Sequence, residues 1–266
     1  IRFVSFSSAV NREGKWSRTF HINQLIGRWR QEGRFEDILR GWSDEQFPIY
    51  NHAPTPNRSS KAIDDPVAFS IERAALPLFG FANFGCLLIA YYHCHDTAKT
   101  MLWIPRRSKS KRTWPGRLDV TVGGGIIAGE TALSTIIREC TEEASLDANF
   151  VQENIHSVGF ISFPNRSATG WMLPGFYYLF DLLLPSDGSV QPQINAADGE
   201  VEGFELMDTQ TVLENLLAGA FKPSSALALV DFLIRHSFLT EDTDAQFAEV
   251  CLALRQYMPL PIPWRL

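Results

Sequence analysis

The spacing of hydrophobic positions changes along this chain, and the changes divide it. Over residues 16–39, Phe20, Leu25, Ile26, Trp29, Phe35, Ile38 and Leu39 recur among charged residues at helical spacing. Gly41-Trp42-Ser43-Asp44-Glu45 ends that pattern. Residues 51–57, with two prolines, read as loop, and 71–76 as a short helix stopping before Pro77. From Gly85 the pattern is one of strands: 86–92, 100–104, 118–122 leading into Gly123-Gly124-Gly125, 156–163, 173–184 broken at Pro174-Gly175, and 201–207. A helix from about Glu130 to Ser145 interrupts them. Residues 209–218, 224–236 and 242–257 read as further helices, with Asp208 and Ser224 or Ser225 as caps. Residues 259–264 form a proline-rich tail along the surface. This order predicts an α/β fold, in two units: residues 1–84, a small α+β domain, and residues 85–266.

The helix after the glycines carries the candidate chemistry. Leu133, Ile136, Ile137, Cys140 and Ala144 share one face, while Glu139, Glu142 and Glu143 share another at i, i+3 and i+4. Three carboxylates on one face repel each other. A solvated acidic face is the plainer explanation, but a divalent cation relieves the repulsion, and hard oxygen ligands suit Mg²⁺ or Mn²⁺. The three glycines before the helix let the backbone approach an anion or a metal closely.

Composition narrows the function classes. The 266 residues carry a net charge of −6, which argues against binding to a nucleic-acid backbone. Nothing resembles a membrane span. Cys86, Cys94, Cys140 and Cys251 make neither a CxxC pair nor a disulfide scaffold, which suits reduced thiols in a cytoplasmic protein. His93-Cys94-His95 fits a strand end better than a metal clip. The chain begins at Ile1, so a leader ahead of it stays an open question.

Gly124, Glu130, Arg138-Glu139, Glu142-Glu143 and Leu146 stand in the register of the Nudix box, which this stretch resembles. Ser145 departs from it, standing where the box has the glycine that ends the helix in a left-handed conformation. The resemblance implies an α/β/α sandwich with a mixed sheet, and Mg²⁺-dependent hydrolysis of a diphosphate. It implies Glu142 and Glu143 as metal ligands, Glu139 as ligand or base, and the Gly124 carbonyl as a further ligand. Arg138 orients a box glutamate, and Glu130 bonds within the loop. Gly41-Trp42-Ser43-Asp44-Glu45, Pro115-Gly116-Arg117-Leu118-Asp119, Asp198-Gly199-Glu200-Val201 and Phe221-Lys222-Pro223 further resemble the thiamine pyrophosphokinase-related Nudix subgroup of fungi and plants. Some of its members hydrolyse damaged thiamine diphosphate analogues. Val120 and Ser224 stand where that subgroup carries Asn, and Ser237 where it carries Gly.

Outside the box, Glu200 is a candidate additional carboxylate. Arg106, Arg107 and Lys111 are candidates to attract the diphosphate, and Phe160, Phe176 and Tyr177 are candidate pocket aromatics. The expected partner is a small organic diphosphate, bound by a monomer or homodimer: a thiamine diphosphate analogue by resemblance, or a prenyl or terpenoid diphosphate from the loss of polar groups near the pocket. Isopentenyl-diphosphate isomerase shares the fold, but its chemistry needs a Cys and a histidine-rich site that the glycine loop lacks. A non-catalytic binding protein is disfavoured because no box glutamate is missing.

Overall fold

The computed structural model describes residues 4–52, 65–167 and 169–263. Most of the 51–57 loop and Trp264 of the tail therefore lie outside the described residues.

The N-terminal part opens with α1 (Ser8–Glu13) and α2 (Lys15–Gln31), and α2 is followed by the short α3 (Glu36–Leu39). The single helix expected over 16–39 is thus two. Gly33 at φ 67 and Phe35 at φ 53 turn the chain between them. Strands β1 (Gln46–Tyr50) and β2 (Val67–Glu72) form an antiparallel pair. Pro48 hides β1 from a sequence reading, yet β1 pairs with β2 alone, so the missing N–H can face the free edge.

The helix expected over 71–76 is corrected. Ile71 and Glu72 end β2, and Glu72 caps the turn at Arg73–Ala75 by accepting from the Ala74 N–H. Helix α4 (Leu76–Phe79) then begins, with Pro77 in its first turn, where a missing N–H costs nothing. Asn23 of α2 ties helix to strand, donating to the Ser70 carbonyl and accepting from the Glu72 N–H. Ile22, Ile26, Leu39, Phe47 and Ile71 form the core between them.

A mixed six-stranded sheet follows. It is built from β3 (Asn83–His93), β4 (Thr100–Arg107), β5 (Val122–Gly125), β6 (Ile155–Arg166), β7 (Met172–Leu183) and β8 (Val201–Asp208) in the order β6-β7-β3-β4-β8. Among the described strands of this sheet, β3 and β7 form the one parallel neighbouring pair. β4 pairs with Tyr91–His93 at the far end of β3, which leaves Gly85–Leu88 free to pair with β5. That shared edge brings Gly123, Gly124 and Gly125 to the centre of the sheet.

β3 is buried on both faces, which is why its sequence is continuously apolar. Phe84, Cys86, Leu88 and Ala90 meet α5 (Ala132–Ala144) and α6 (Ala148–Asn154). Leu87 and Ile89 share a core with α7 (Thr209–Leu217) and α8 (Pro223–Arg235). The α/β/α sandwich with a mixed sheet is therefore as expected. β7 runs unbroken through Pro174-Gly175, because Pro174 lies just beyond the start of β3 and pairs only with β6. Asp208 caps α7 as expected, but α8 begins at Pro223 after Lys222, so neither Ser224 nor Ser225 caps it. The last helix, α9 (Phe247–Ala253), is shorter than the expected 242–257.

Helix α5 has defined ends. The Thr131 hydroxyl accepts from the Ser134 N–H and the Ser134 hydroxyl from the Thr131 N–H, a capping box. Ser145 stops the helix at φ 53, in the left-handed region that its replacement of glycine foretold. An L-residue there costs about 1 kcal/mol, so Ser145→Gly should stabilise the protein by about that amount. The urea midpoint should rise with no change in the slope of the transition.

Candidate active site

The faces of α5 are not divided as the periodicity suggests. Ile136, Cys140 and Ala144 are buried, but Leu133 is 46% exposed and Glu143 only 9%. Glu143 reaches under the glycine loop, where its carboxylate accepts from the Gly123 N–H at 3.0 Å. Glu139 lies against Gly124 so closely that a Cβ at Gly124 would sit 2.1 Å from its Oε1. The glycine is required by that contact.

Arg138 gathers the remaining box acids. Its Nε and a terminal nitrogen donate to Glu130 at 2.9 and 3.1 Å, and its other terminal nitrogen lies 2.6 Å from Glu142 and 3.0 Å from Glu139. Glu130 also accepts from the Thr135 hydroxyl at 2.7 Å. Glu142 is thus held on the Arg138 side, half exposed, while Glu139 and Glu143 turn toward the loop. Glu200, from the segment before β8, approaches Glu143, and Lys111 forms an ion pair with it.

These placements perturb the acids in opposite directions. Burial pushes the Glu139 carboxyl up to about 7 against the pull of Arg138, with Glu142 and Glu200 adding to the rise. Glu143 is pushed well above the carboxylate range by burial first and by Glu139 next. Glu200 is also raised by burial, but Lys111 outweighs this and holds it low, helped by a hydrogen bond from Glu143. Glu143 thus holds a proton more tightly than an ordinary carboxyl, and Glu200 less tightly.

Among the described residues, no three His, Cys, Asp or Glu side chains stand as a ready-made cage for a metal ion. The ion pairs of Glu142 with Arg138 and of Glu200 with Lys111 are consistent with that. The donor set nonetheless fits a hard divalent cation. The carboxylates of buried Glu143 and largely buried Glu139 stand beside a backbone cradle, and a cation there would offset the burial and the neighbouring acids that raise their proton affinity.

A cluster that the sequence reading missed lies beside these acids. Asp119 is 7% exposed and takes bonds from Arg107 at 2.7 Å, Lys222 at 3.2 Å and the Ser225 hydroxyl. Burial would raise its pKa, but Lys222 and Arg107 hold it below the usual range. Arg107, Asp119, Thr121, Gly123, Glu143 and Glu200 line one narrow cleft. The signal in the sequence was a lone acid in the apolar run Leu118-Asp119-Val120-Thr121-Val122.

The other expected site residues are dispersed. Arg106 bonds Glu205 on β8 and the Gly116 carbonyl, outside the cleft. Phe176 is buried in a stack between Phe84 and Phe160 on the α5 face. Tyr177 points to the opposite face beside Gly85, near Ser224 and Asn83. Val120 is buried, and Ser237 adopts φ 60.

The family model for the NUDIX domain matches residues 90–228, just over half of the chain. The chain belongs to the Nudix family. A second model, a domain of unknown function (DUF4743), matches residues 4–83. This Nudix protein is 28% identical to an uncharacterized protein of Saccharomyces cerevisiae over 91% of this chain and 70% of that one. It is 32% identical to Nudix hydrolase 20, chloroplastic, of Arabidopsis thaliana over 77% of this chain and 50% of that one. It is also 46% identical to an uncharacterized Nudix hydrolase of Nostoc over 48% of this chain and 69% of that one. The Nudix protein thus spans about half the length of its plant relative. Among the described residues, no helix is long and apolar enough to cross a membrane.

Proposed function

We propose that this Nudix protein is a Mg²⁺-dependent pyrophosphohydrolase that cleaves an organic diphosphate to its monophosphate and phosphate. The observation that carries this reading is the placing of buried Glu143 against the Gly123 N–H and of largely buried Glu139 against Gly124. Glu139, Glu143, the Gly124 carbonyl and Glu200 would hold the cation, with Glu142 joining them on leaving Arg138. The cation would neutralise phosphate charge and acidify a water. Glu139, with a proton affinity near neutrality, is suited to take the proton of the attacking water. Arg138 holds Glu139 in place, Arg107 offers positive charge along the cleft, and Lys111 stands behind Glu200 as its ion-pair partner.

By resemblance the substrate is a thiamine diphosphate analogue. A prenyl or terpenoid diphosphate is the second reading, favoured by the stacked Phe84, Phe176 and Phe160. Residues 1–84 and 85–266 are proposed as the two domains. The four free cysteines support a reducing compartment such as the cytoplasm.

Turnover in ¹⁸O-labelled water should place the label in a phosphate product, with the organic C–O bond intact. Label in the organic alcohol would reject phosphoryl transfer. The ratio of kcat/KM for oxidised thiamine diphosphate to that for farnesyl diphosphate separates the two substrate readings.

A further inference from the structure

The N-terminal unit touches the Nudix part at the loops that carry its acidic site. Phe47 of β1 is 1% exposed and belongs to the core that Ile22, Ile26, Leu39 and Ile71 form. The tip of its ring reaches Gly125. A Cβ at Gly125 would stand 2.4, 2.9 and 3.6 Å from three atoms of that ring, which are its three nearest neighbours. Gly125 does not have a positive φ, so the ring and not the backbone conformation requires glycine there.

The contact continues past the glycines. Ile126 turns into the core under α5, and its N–H donates to the Phe84 carbonyl of β3. Ile127 packs instead against the N-terminal core, and the Ala128 N–H donates to the Gln46 carbonyl of β1 at 2.8 Å. Positions 125, 127 and 128 are thus held from the N-terminal unit, and 126 from the sheet. Two more contacts come from the same segment. Arg112, next to the Lys111 that pairs with Glu200, donates to the Arg40 carbonyl at 2.6 Å. The Trp171 indole N–H donates to Asp37 at 2.8 Å.

Covalent geometry carries the constraint from Gly125 to Gly124. The Gly124 carbonyl and the Gly125 N–H belong to one planar peptide group. Holding the Gly125 Cα limits the rotation of that plane, and with it the direction of the Gly124 oxygen. Glu139 lies against the same Gly124. A cation shared by that carbonyl and that carboxylate needs both in fixed places, and the groups packed behind a ligand set its orientation.

We propose that Phe47 is a positioning residue for the cation site, and that the unit matching the domain of unknown function braces the glycine loop. The assignment rests on the hydrolase reading above for the cation at Gly124 and Glu139. It goes beyond that reading by giving the N-terminal unit a part in the site. Phe47 acts through Gly125 and offers no ligand of its own.

Mn²⁺ binding by the full chain, followed by the electron paramagnetic resonance of free Mn²⁺, tests it. Gly125→Ala should weaken binding at least tenfold, because its methyl and the ring cannot both keep their places. Leucine lacks the three ring atoms that the methyl would meet. The double variant Phe47→Leu/Gly125→Ala should therefore return to within threefold of the parent, a strongly non-additive result. Phe47→Leu alone keeps the loop sequence and should weaken binding at least threefold. It carries the test if Gly125→Ala fails to fold. Were Phe47 only a core filler, the folded variants would bind Mn²⁺ as the parent does, whatever their melting temperatures.

Parent-like Mn²⁺ affinity in both single variants would overturn the brace and leave the hydrolase reading standing. So would a double variant that binds no better than Gly125→Ala. The stated shifts with no phosphate released from any organic diphosphate would support the brace and overturn the hydrolase reading. A parent that binds no Mn²⁺ would overturn both.

Discussion

Glu143→Gln should lose turnover by on the order of a thousandfold, the several kcal/mol that a metal-held charge contributes to such a reaction. The fold should survive, because a glutamine oxygen can still accept from the Gly123 N–H. Without metal the variant should be more stable than the parent at pH 8, since burying an acid whose folded pKa is raised requires proton uptake from the ionised unfolded chain and glutamine requires none. Mg²⁺ should raise the melting temperature of the parent and leave that of the variant almost unmoved.

Glu139→Gln should behave alike, with a pH signature. Its carboxyl titrates near 4.5 in the unfolded chain and near 7 when folded. Between those values the unfolded chain releases a proton that the folded one keeps, so metal-free stability falls as pH rises through this window. Glu139→Gln should flatten that fall. Full turnover by either variant at saturating Mg²⁺ would reject the site.

Asp119→Asn should lower stability by roughly 3 kcal/mol, because it leaves Arg107 and Lys222 buried or half-buried without their counter-charge. Here the sign is opposite. The folded pKa of Asp119 lies below its ordinary 3.8, so its contribution is present above that value and is lost as pH falls through the folded pKa. The variant should lack that part of the acid transition. Arg107 also lines the cleft of Glu143 and Glu200, so KM should rise along with the loss of stability. A urea midpoint equal to that of the parent would show that Arg107 and Lys222 find other partners.

Much of the fold could be read in the sequence where local chemistry and burial agree. β3 is apolar throughout because helices cover both of its faces, and α5 begins and ends at the residues its caps specify. β1 and β2 were hidden because their paired positions lie far apart in sequence and Pro48 breaks the strand signal. Ile71 and Glu72 looked helical because their pairing partners, Phe47 and Gln46, lie 24 and 26 residues away in sequence. The box acids were legible by spacing, but spacing does not report burial. Glu142 and Glu143 are adjacent in sequence, yet one is held outward by Arg138 and the other is drawn under the loop by a backbone N–H. Nor could spacing bring Asp119, Lys222 and Ser225 together, since that contact is made by docking α8 onto the sheet.

The three loop glycines answer to three different neighbours. A Cβ at Gly123 would meet Leu87 at 2.9 Å, at Gly124 the Glu139 carboxylate, and at Gly125 the ring of Phe47 at 2.4 Å. Phe47 belongs to β1, whose Gln46 carbonyl also accepts from the Ala128 N–H just beyond the loop. The third glycine is thus constrained by a partner outside the Nudix match itself. Tolerance at position 125 should therefore be inherited with position 47: a small residue at 47 would release 125, while no change at 47 would release 124. A lineage that shed its N-terminal unit would be free to vary the last glycine of the run while the middle one stayed fixed.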